Sequence, residues 1–133
     1  VDHKQPNCTT TELYKGVAAG QATGTFVGKI YVAPKAQKTQ ANQSNRNILL
    51  SPDATIHSKP QLEIWADDVS CTHGSTVGQL NPDHLFYCQT RGINRDEAIK
   101  LLLHAFIQEV ADKVTNEEIR KMVDETIAEK LKY

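Results

Sequence analysis

No stretch of this chain approaches the roughly 18 consecutive apolar residues that a membrane helix needs, so no membrane-spanning helix is expected. Nor is there an excess of positive charge. The 15 Lys and Arg face 16 Asp and Glu, for a formal net charge of −1, and neither half departs far from balance. A chain with no net basic field does not gather phosphates, which argues against nucleic acid as a partner. The Cys-x-x-Cys and His-x-x-x-His spacings of closed metal sites are missing, as are Gly-x-Gly-x-x-Gly and Walker loops, so neither a self-contained zinc site nor a nucleotide pocket is indicated. Asn-Gly and Asp-Gly, the strongest signals of tight β-hairpins, do not occur. Cysteine is sparse: Cys8, Cys71 and Cys88 are an odd number at wide spacing. That is no disulfide framework, and a reducing, cytoplasmic setting is expected. The chain opens on Val1-Asp2-His3 with neither an initiator methionine nor a charged-then-apolar leader, and is expected to be part of a longer polypeptide.

What is present changes character near residue 80. Before it, β-type runs alternate with turn chemistry. The runs are Thr25–Val32, Asn47–Leu50, Ala54–His57 and Gln61–Trp65. Phe26, Ile30 and Val32 share one parity, and Leu62 and Ile64 oppose Glu63 and Trp65, the period of two of half-buried strands. Gly24, Ala33-Pro34, Ser51-Pro52-Asp53 and Ser58-Lys59-Pro60 read as breakers. Gly16, Gly20, Gly24 and Gly28, spaced by four, read as turn or strand-breaking glycines. Short strands at this spacing fit a sandwich, a barrel or a solenoid, and the pattern alone leans toward a sandwich. The amide-rich segment from Gln37 to Asn47 fits stacked side-chain ladders, which need strands lying in register above one another.

After residue 80 the period is helical. Asn81-Pro82-Asp83 supplies an N-cap, a proline in the first turn and an acid at the positive dipole end, and Gly92 supplies a terminator. Asn94 with Glu97, and then Thr115 with Glu118, have capping-box spacing. Ile99, Leu102, Leu103, Phe106, Val110 and Val114 form one apolar stripe, and Ile119, Met122, Val123, Ile127 and Leu131 form another. About three helices are expected.

Cys71-Thr72-His73 carries the most chemistry. On a strand, residues two apart project from one face, placing a soft thiolate beside an imidazole as a partial site for iron or zinc. The plainer alternative is a core cysteine next to a structural histidine. A Cys–His catalytic pair finds no orienting acid, because adjacent Asp67 and Asp68 would face opposite ways on a strand. Cys88 and His104 are expected to pack against apolar neighbours, and Phe86-Tyr87 to serve as helix core or partner surface.

Longer strings carry the reading further. Leu13-Tyr14-Lys15-Gly16-Val17, Phe26-Val27-Gly28-Lys29-Ile30 and Gln43-Ser44-Asn45-Arg46-Asn47-Ile48-Leu49-Leu50-Ser51 occur in order. Lys59-Pro60-Gln61-Leu62-Glu63-Ile64-Trp65-Ala66-Asp67-Asp68-Val69, Cys71-Thr72-His73-Gly74-Ser75-Thr76-Val77-Gly78-Gln79-Leu80 and Leu85-Phe86-Tyr87 follow. Together they resemble the SufB/SufD family of the SUF iron–sulfur cluster assembly system. Lys-Pro-Gln-Leu-Glu-Ile and the glycine after His73 point to its SufD branch, whereas Cys88-Gln89 resembles the SufB side.

The resemblance implies the last rungs of a right-handed parallel β-helix over residues 1–79, followed by a small C-terminal helical domain over 80–133. It implies a non-catalytic scaffold that pairs with SufB and docks the SufC ATPase through the helical region, with Phe86, Leu102 and Phe106 as the expected docking face. A nascent iron–sulfur cluster would form at the SufB–SufD interface, with His73 as the implicated residue, Cys71 as its neighbouring thiol, and no tightly held cofactor. ATP-driven SufC dimerisation would strain the helical lobes and expose His73. The rival expectations are a metal-dependent hydrolase using Cys71 and His73, and a generic interaction module in which His73 only packs. Self-association through a truncated end rung is a further expectation.

Overall fold

The computed structural model describes residues 1–130, so the expected apolar contribution of Leu131 lies outside the described residues. The chain divides into two compact units, 1–78 and from Gln79 onward. The first unit is built of parallel β-structure and the second of helices.

Six strands make up the first unit: β1 (Asp2–His3), β2 (Thr9–Ala18), β3 (Thr23–Val32), β4 (Gln40–Leu49), β5 (Thr55–Ile64) and β6 (Ser70–Gly78). Successive strands alternate between two three-stranded parallel sheets, ordered β1-β3-β5 and β2-β4-β6. Pairing is therefore between every second strand. Asp2 aligns with Tyr31 and Thr23 with Thr55 in one sheet, and Thr9 with Gln40 and Gln40 with Ser70 in the other. The inner faces meet on Ile30, Val32, Ala36, Ala41 and Ala66, with Leu62, Val69 and Cys71 packed against them. Small residues predominate here, and Ile30 and Val32 are fully buried.

The structure corrects several expectations. The two runs Ala54–His57 and Gln61–Trp65 are one strand, β5, passing straight through Ser58-Lys59-Pro60. Thr55 and Trp65 donate their backbone N–H groups toward Ala22 and Val32. Alternation then turns the Pro60 nitrogen to the opposite edge, which no described strand occupies. A proline placed there forfeits no ladder bond. Asn47–Leu49 is the end of the longer β4, with Leu50 just beyond it, and Gly16, Gly24 and Gly28 lie within strands; of the four evenly spaced glycines only Gly20 occupies a turn with positive φ (62°). Pairing in both sheets is parallel, in keeping with the missing tight-hairpin turns.

The second unit holds α1 (Pro82–Thr90), α2 (Arg95–Ala111) and α3 (Glu117–Lys130). Asn81 Oδ1 accepts from the Asp83 N–H, and Asn94 Oδ1 from the Glu97 N–H. At the end of α1, Ile93 N–H reaches Cys88 O and Gly92 N–H reaches Gln89 O, with Gly92 at φ 83°. This double closure satisfies the last carbonyls through a left-handed glycine. The third helix is capped by Asn116, which accepts from Glu118 and Ile119, rather than by Thr115. Val114 lies beyond the end of α2. Leu103, Ala98, Ala111 and Cys88 are buried, while His104 is exposed rather than packed. Among the described residues no helix is long and apolar enough to cross a membrane.

Candidate functional site

The last strand of the second sheet carries both sequence-indicated donors. β6 pairs on one side with β4 throughout Ser70–Gly78, and its other edge is unoccupied among the described strands. Cys71 and His73, two positions apart, project from the same face with Cα atoms about 7 Å apart. Their register partners identify that face as the inner one. Cys71 aligns with buried Ala41, and His73 with buried Gln43. The two nevertheless differ in environment. Cys71 is half-buried against the small-residue core, whereas His73 is exposed. Thr72, between them, takes the outer face and accepts from Asn42 Nδ2 at 2.7 Å.

Below His73 the inner face of β4 is lined with amides, and Gln43, Asn45 and Asn47 are all buried. Asn45 Oδ1 accepts from Asn47 Nδ2 and from Ser58 Oγ, both at 2.7 Å, and Ser75 Oγ donates to Ser58 Oγ at 2.7 Å. Gln43 Nε2 donates to Glu12 Oε2 at 2.6 Å. The expected ladder of amides stacked from strand to strand is thus replaced by one amide pair within β4 and by amides bonded to a hydroxyl and a carboxylate on neighbouring strands. The physical reason is the register, which sets Asn45 opposite Tyr14 and Ser75 rather than opposite another amide. Such buried polar networks are tolerated where their members find partners. Near Gly16 and Gly24 the interior opens into a recess of about 360 Å³, walled by Tyr14, Phe26, Asn47 and Ile56.

Outside this face, Lys29 Nζ on β3 donates to Glu63 Oε2 on β5 at 2.9 Å, and Trp65 Nε1 donates to Glu63 Oε1 at 3.3 Å. The hydrogen bond to Glu63 and its charge raise the Lys29 ammonium above the ordinary lysine range. The bonds from Lys29 and then Trp65 hold the Glu63 carboxyl below the ordinary carboxylate range. In the helical unit Phe86 is 67% exposed on α1, while Leu102 and Phe106 on α2 are half-buried. Phe86 and Tyr87 are therefore surface rather than core, and Arg91 lies over the Tyr87 ring at 5.3 Å.

Among the described residues no three His, Cys, Asp or Glu side chains gather closely enough to hold a metal ion. Cys71 and His73 bring two donor-type side chains to one strand face, and nothing else among the described residues joins them. Sequence reasoning did not single out Gln43 or Glu12. The only signal was the alternation Gln43-x-Asn45-x-Asn47, amides recurring at the strand period.

Residues 1–106 match the family model described as SUF system FeS cluster assembly, SufBD core domain. The chain is 35% identical over 131 residues to the iron–sulfur cluster assembly protein SufD of Escherichia coli K12, covering 98% of this chain and 31% of that protein. It is 43% identical over 109 residues to an iron–sulfur cluster assembly SufBD family protein of Synechocystis, covering 82% and 24%. It is also 43% identical over 123 residues to protein ABCI7, chloroplastic, of Arabidopsis thaliana, covering 90% and 25%. The chain thus spans about a quarter to a third of the length of these relatives.

Proposed function

Because this chain belongs to the SufBD core family of the SUF system and is SufD-like in sequence, we propose that it forms part of a non-catalytic scaffold subunit on which iron–sulfur clusters are assembled. In this reading residues 1–79 are rungs of a right-handed parallel β-helix and residues 80–133 a separate helical domain. Strict alternation of strands between two parallel sheets, in register over ten residues, supports the coil. A solenoid buries its core only by stacking neighbouring repeats, and the two inner faces here meet in that way.

The observation that carries the functional reading is His73, exposed on the inner row of a strand whose outer edge no described strand occupies, and two residues from Cys71. Two donors leave a site open, and a paired SufB subunit would complete it. Iron, or the growing cluster, is cargo at that seam rather than a resident cofactor. His73 offers a borderline-soft nitrogen through its neutral imidazole. Cys71, packed into the core, is the less available of the two. SufC would dock on the helical domain, where Phe86 on α1 is an exposed aromatic and Leu102 and Phe106 on α2 form a half-buried stripe. ATP hydrolysis would belong to SufC. The balanced charge argues against a nucleic-acid role, and free thiols accord with a reducing, cytoplasmic setting.

The test is His73→Ala in the intact subunit, reconstituted with its SufB and SufC partners and supplied with iron and sulfide. Cluster formed is read by visible absorbance and by transfer to an apo-acceptor. Loss of cluster from a complex that still assembles is the expected result. Undiminished cluster formation would leave only a structural interaction module.

A further inference from the structure

Glu12 on β2, Gln43 on β4 and His73 on β6 occupy one level of the second sheet, as successive register partners. Side chains in register on neighbouring parallel strands share a face and stand about 4.8 Å apart. Gln43 is the middle member and is 1% exposed. Its orientation follows from chemistry. A carboxylate only accepts, so the amide nitrogen is the atom committed to Glu12, at 2.6 Å. The amide oxygen is left over, buried, and without a hydrogen-bond partner among the described residues.

A buried carbonyl oxygen without a donor costs free energy, and in β-structure the nearest donors of this kind lie on adjacent strands. The neighbour at the same level on the other side is the His73 imidazole, which can present a ring N–H. The opposing sheet holds the amide in place. A Cβ built at Gly28 would lie 2.7 Å from Gln43 Nε2 and 3.0 Å from its Cδ. The amide therefore occupies space that only a glycine opposite leaves open.

We propose that Gln43, oriented by Glu12, is a positioning residue for His73: the His73 ring, exposed and not bonded to Gln43 in this structure, turns inward so that one imidazole nitrogen donates to Gln43 Oε1, fixing the tautomer and directing the other nitrogen's lone pair toward an incoming metal ion. The inference rests on the reading of His73 as a ligand given above. Imidazole ligands are commonly held in this way by an oxygen behind them, which sets ring orientation and raises ligand basicity. The carboxylate–amide–imidazole line does so here with the carboxylate one strand removed, so no negative charge touches the ring.

The experiment is nitrogen-15 NMR of the histidine rings in the intact protein, with cluster formation in the reconstituted complex as the second readout. His73 in the unaltered protein is expected to show a single neutral tautomer. Gln43→Met, which keeps the length and removes the acceptor, should return it to the mixture of a solvated imidazole. The same variant should slow cluster formation by about 10- to 100-fold. A solvent-like tautomer mixture in the unaltered protein overturns the proposal, and that measurement stands even where Gln43→Met does not fold. A fixed tautomer unchanged in folded Gln43→Met overturns it as well. If His73→Ala proves silent, the ligand reading itself falls. If His73→Ala abolishes assembly while the tautomer is free, only the positioning role falls.

Discussion

A methyl group added at Gly28 would meet Phe26 Cζ at 2.6 Å and Gln43 Nε2 at 2.7 Å, whereas one added at Gly74 would meet nothing within 4 Å. The two glycines look alike in the sequence and differ wholly in what surrounds them. Gly28→Ala must push an aromatic ring and a buried amide aside at once, and overpacking of this kind costs about 1–3 kcal/mol. Gly74→Ala is expected to be near neutral, and urea denaturation of the two variants measures the contrast. The candidate site divides in the same manner. Cys71 and His73 were legible from residue type and spacing, because the thiol and imidazole announce their chemistry and residues two apart share a strand face. Gln43 and Glu12 were not legible, since an amide and a carboxylate acquire meaning here only through pairings 31 residues apart, Glu12 with Gln43. Cys71 packs on the core while sharing a strand face with His73, an arrangement that residue type and spacing alone left open.

At the scale of elements, strand character was read correctly where inward apolar residues alternate, as at Phe26, Ile30 and Val32, and lost where the inward residues are polar. The inner positions of β4 are Ala41, Gln43, Asn45 and Asn47, so apolar periodicity alone could not trace the strand. Pro60 misled for a related reason: its effect depends on which edge its nitrogen faces, and that is a property of the sheet. Helix ends fared better because caps are local. Asn81, Asn94 and Gly92 do what their types predict, and the displacement from Thr115 to Asn116 is a choice between two competent neighbours. The Lys29–Glu63 pair joins β3 to β5 across their exposed face. Glu63 has a folded value below its unfolded one, so its contribution is present above the ordinary carboxylate range and is lost as pH falls through the folded value. Lys29 has a raised folded value, so its contribution is present below the ordinary lysine range and is lost as pH rises through the folded value. Glu63→Gln should therefore lower Tm slightly at neutral pH. That difference should vanish in acid and shrink in high salt, since exposed pairs are weak and screened.

For the molecule as a whole, the change of period near residue 80 was enough to separate strands from helices, yet the arrangement of the strands was not to be found in periodicity. Parallel partners lie one strand apart in the chain, and no local signal links Thr9 to Gln40 or Thr23 to Thr55. The resemblance of long strings supplied that part. If the helical unit docks a SufC-type ATPase, Phe86→Ser should weaken binding of the intact subunit by tenfold or more, since a few exposed aromatic anchors dominate such interfaces (about 1.4 kcal/mol per decade). Isothermal titration of the variant, with its helicity checked by circular dichroism, measures this, and unaltered affinity would place docking elsewhere. The pairings hold one more consequence. Between sheet neighbours the chain advances 29 residues from Asp2 to Tyr31, 32 from Thr23 to Thr55, 31 from Thr9 to Gln40 and 30 from Gln40 to Ser70. β2 to β5 all keep ten residues, so the corners absorb every difference. For the gene, a codon gained or lost at a corner such as 33–39 or 50–54 leaves each strand in step with its neighbours. One gained or lost inside a strand exchanges inside for outside over the rest of that strand. Heredity can therefore lengthen or shorten this pair of parallel sheets, strand register kept, only at its bends.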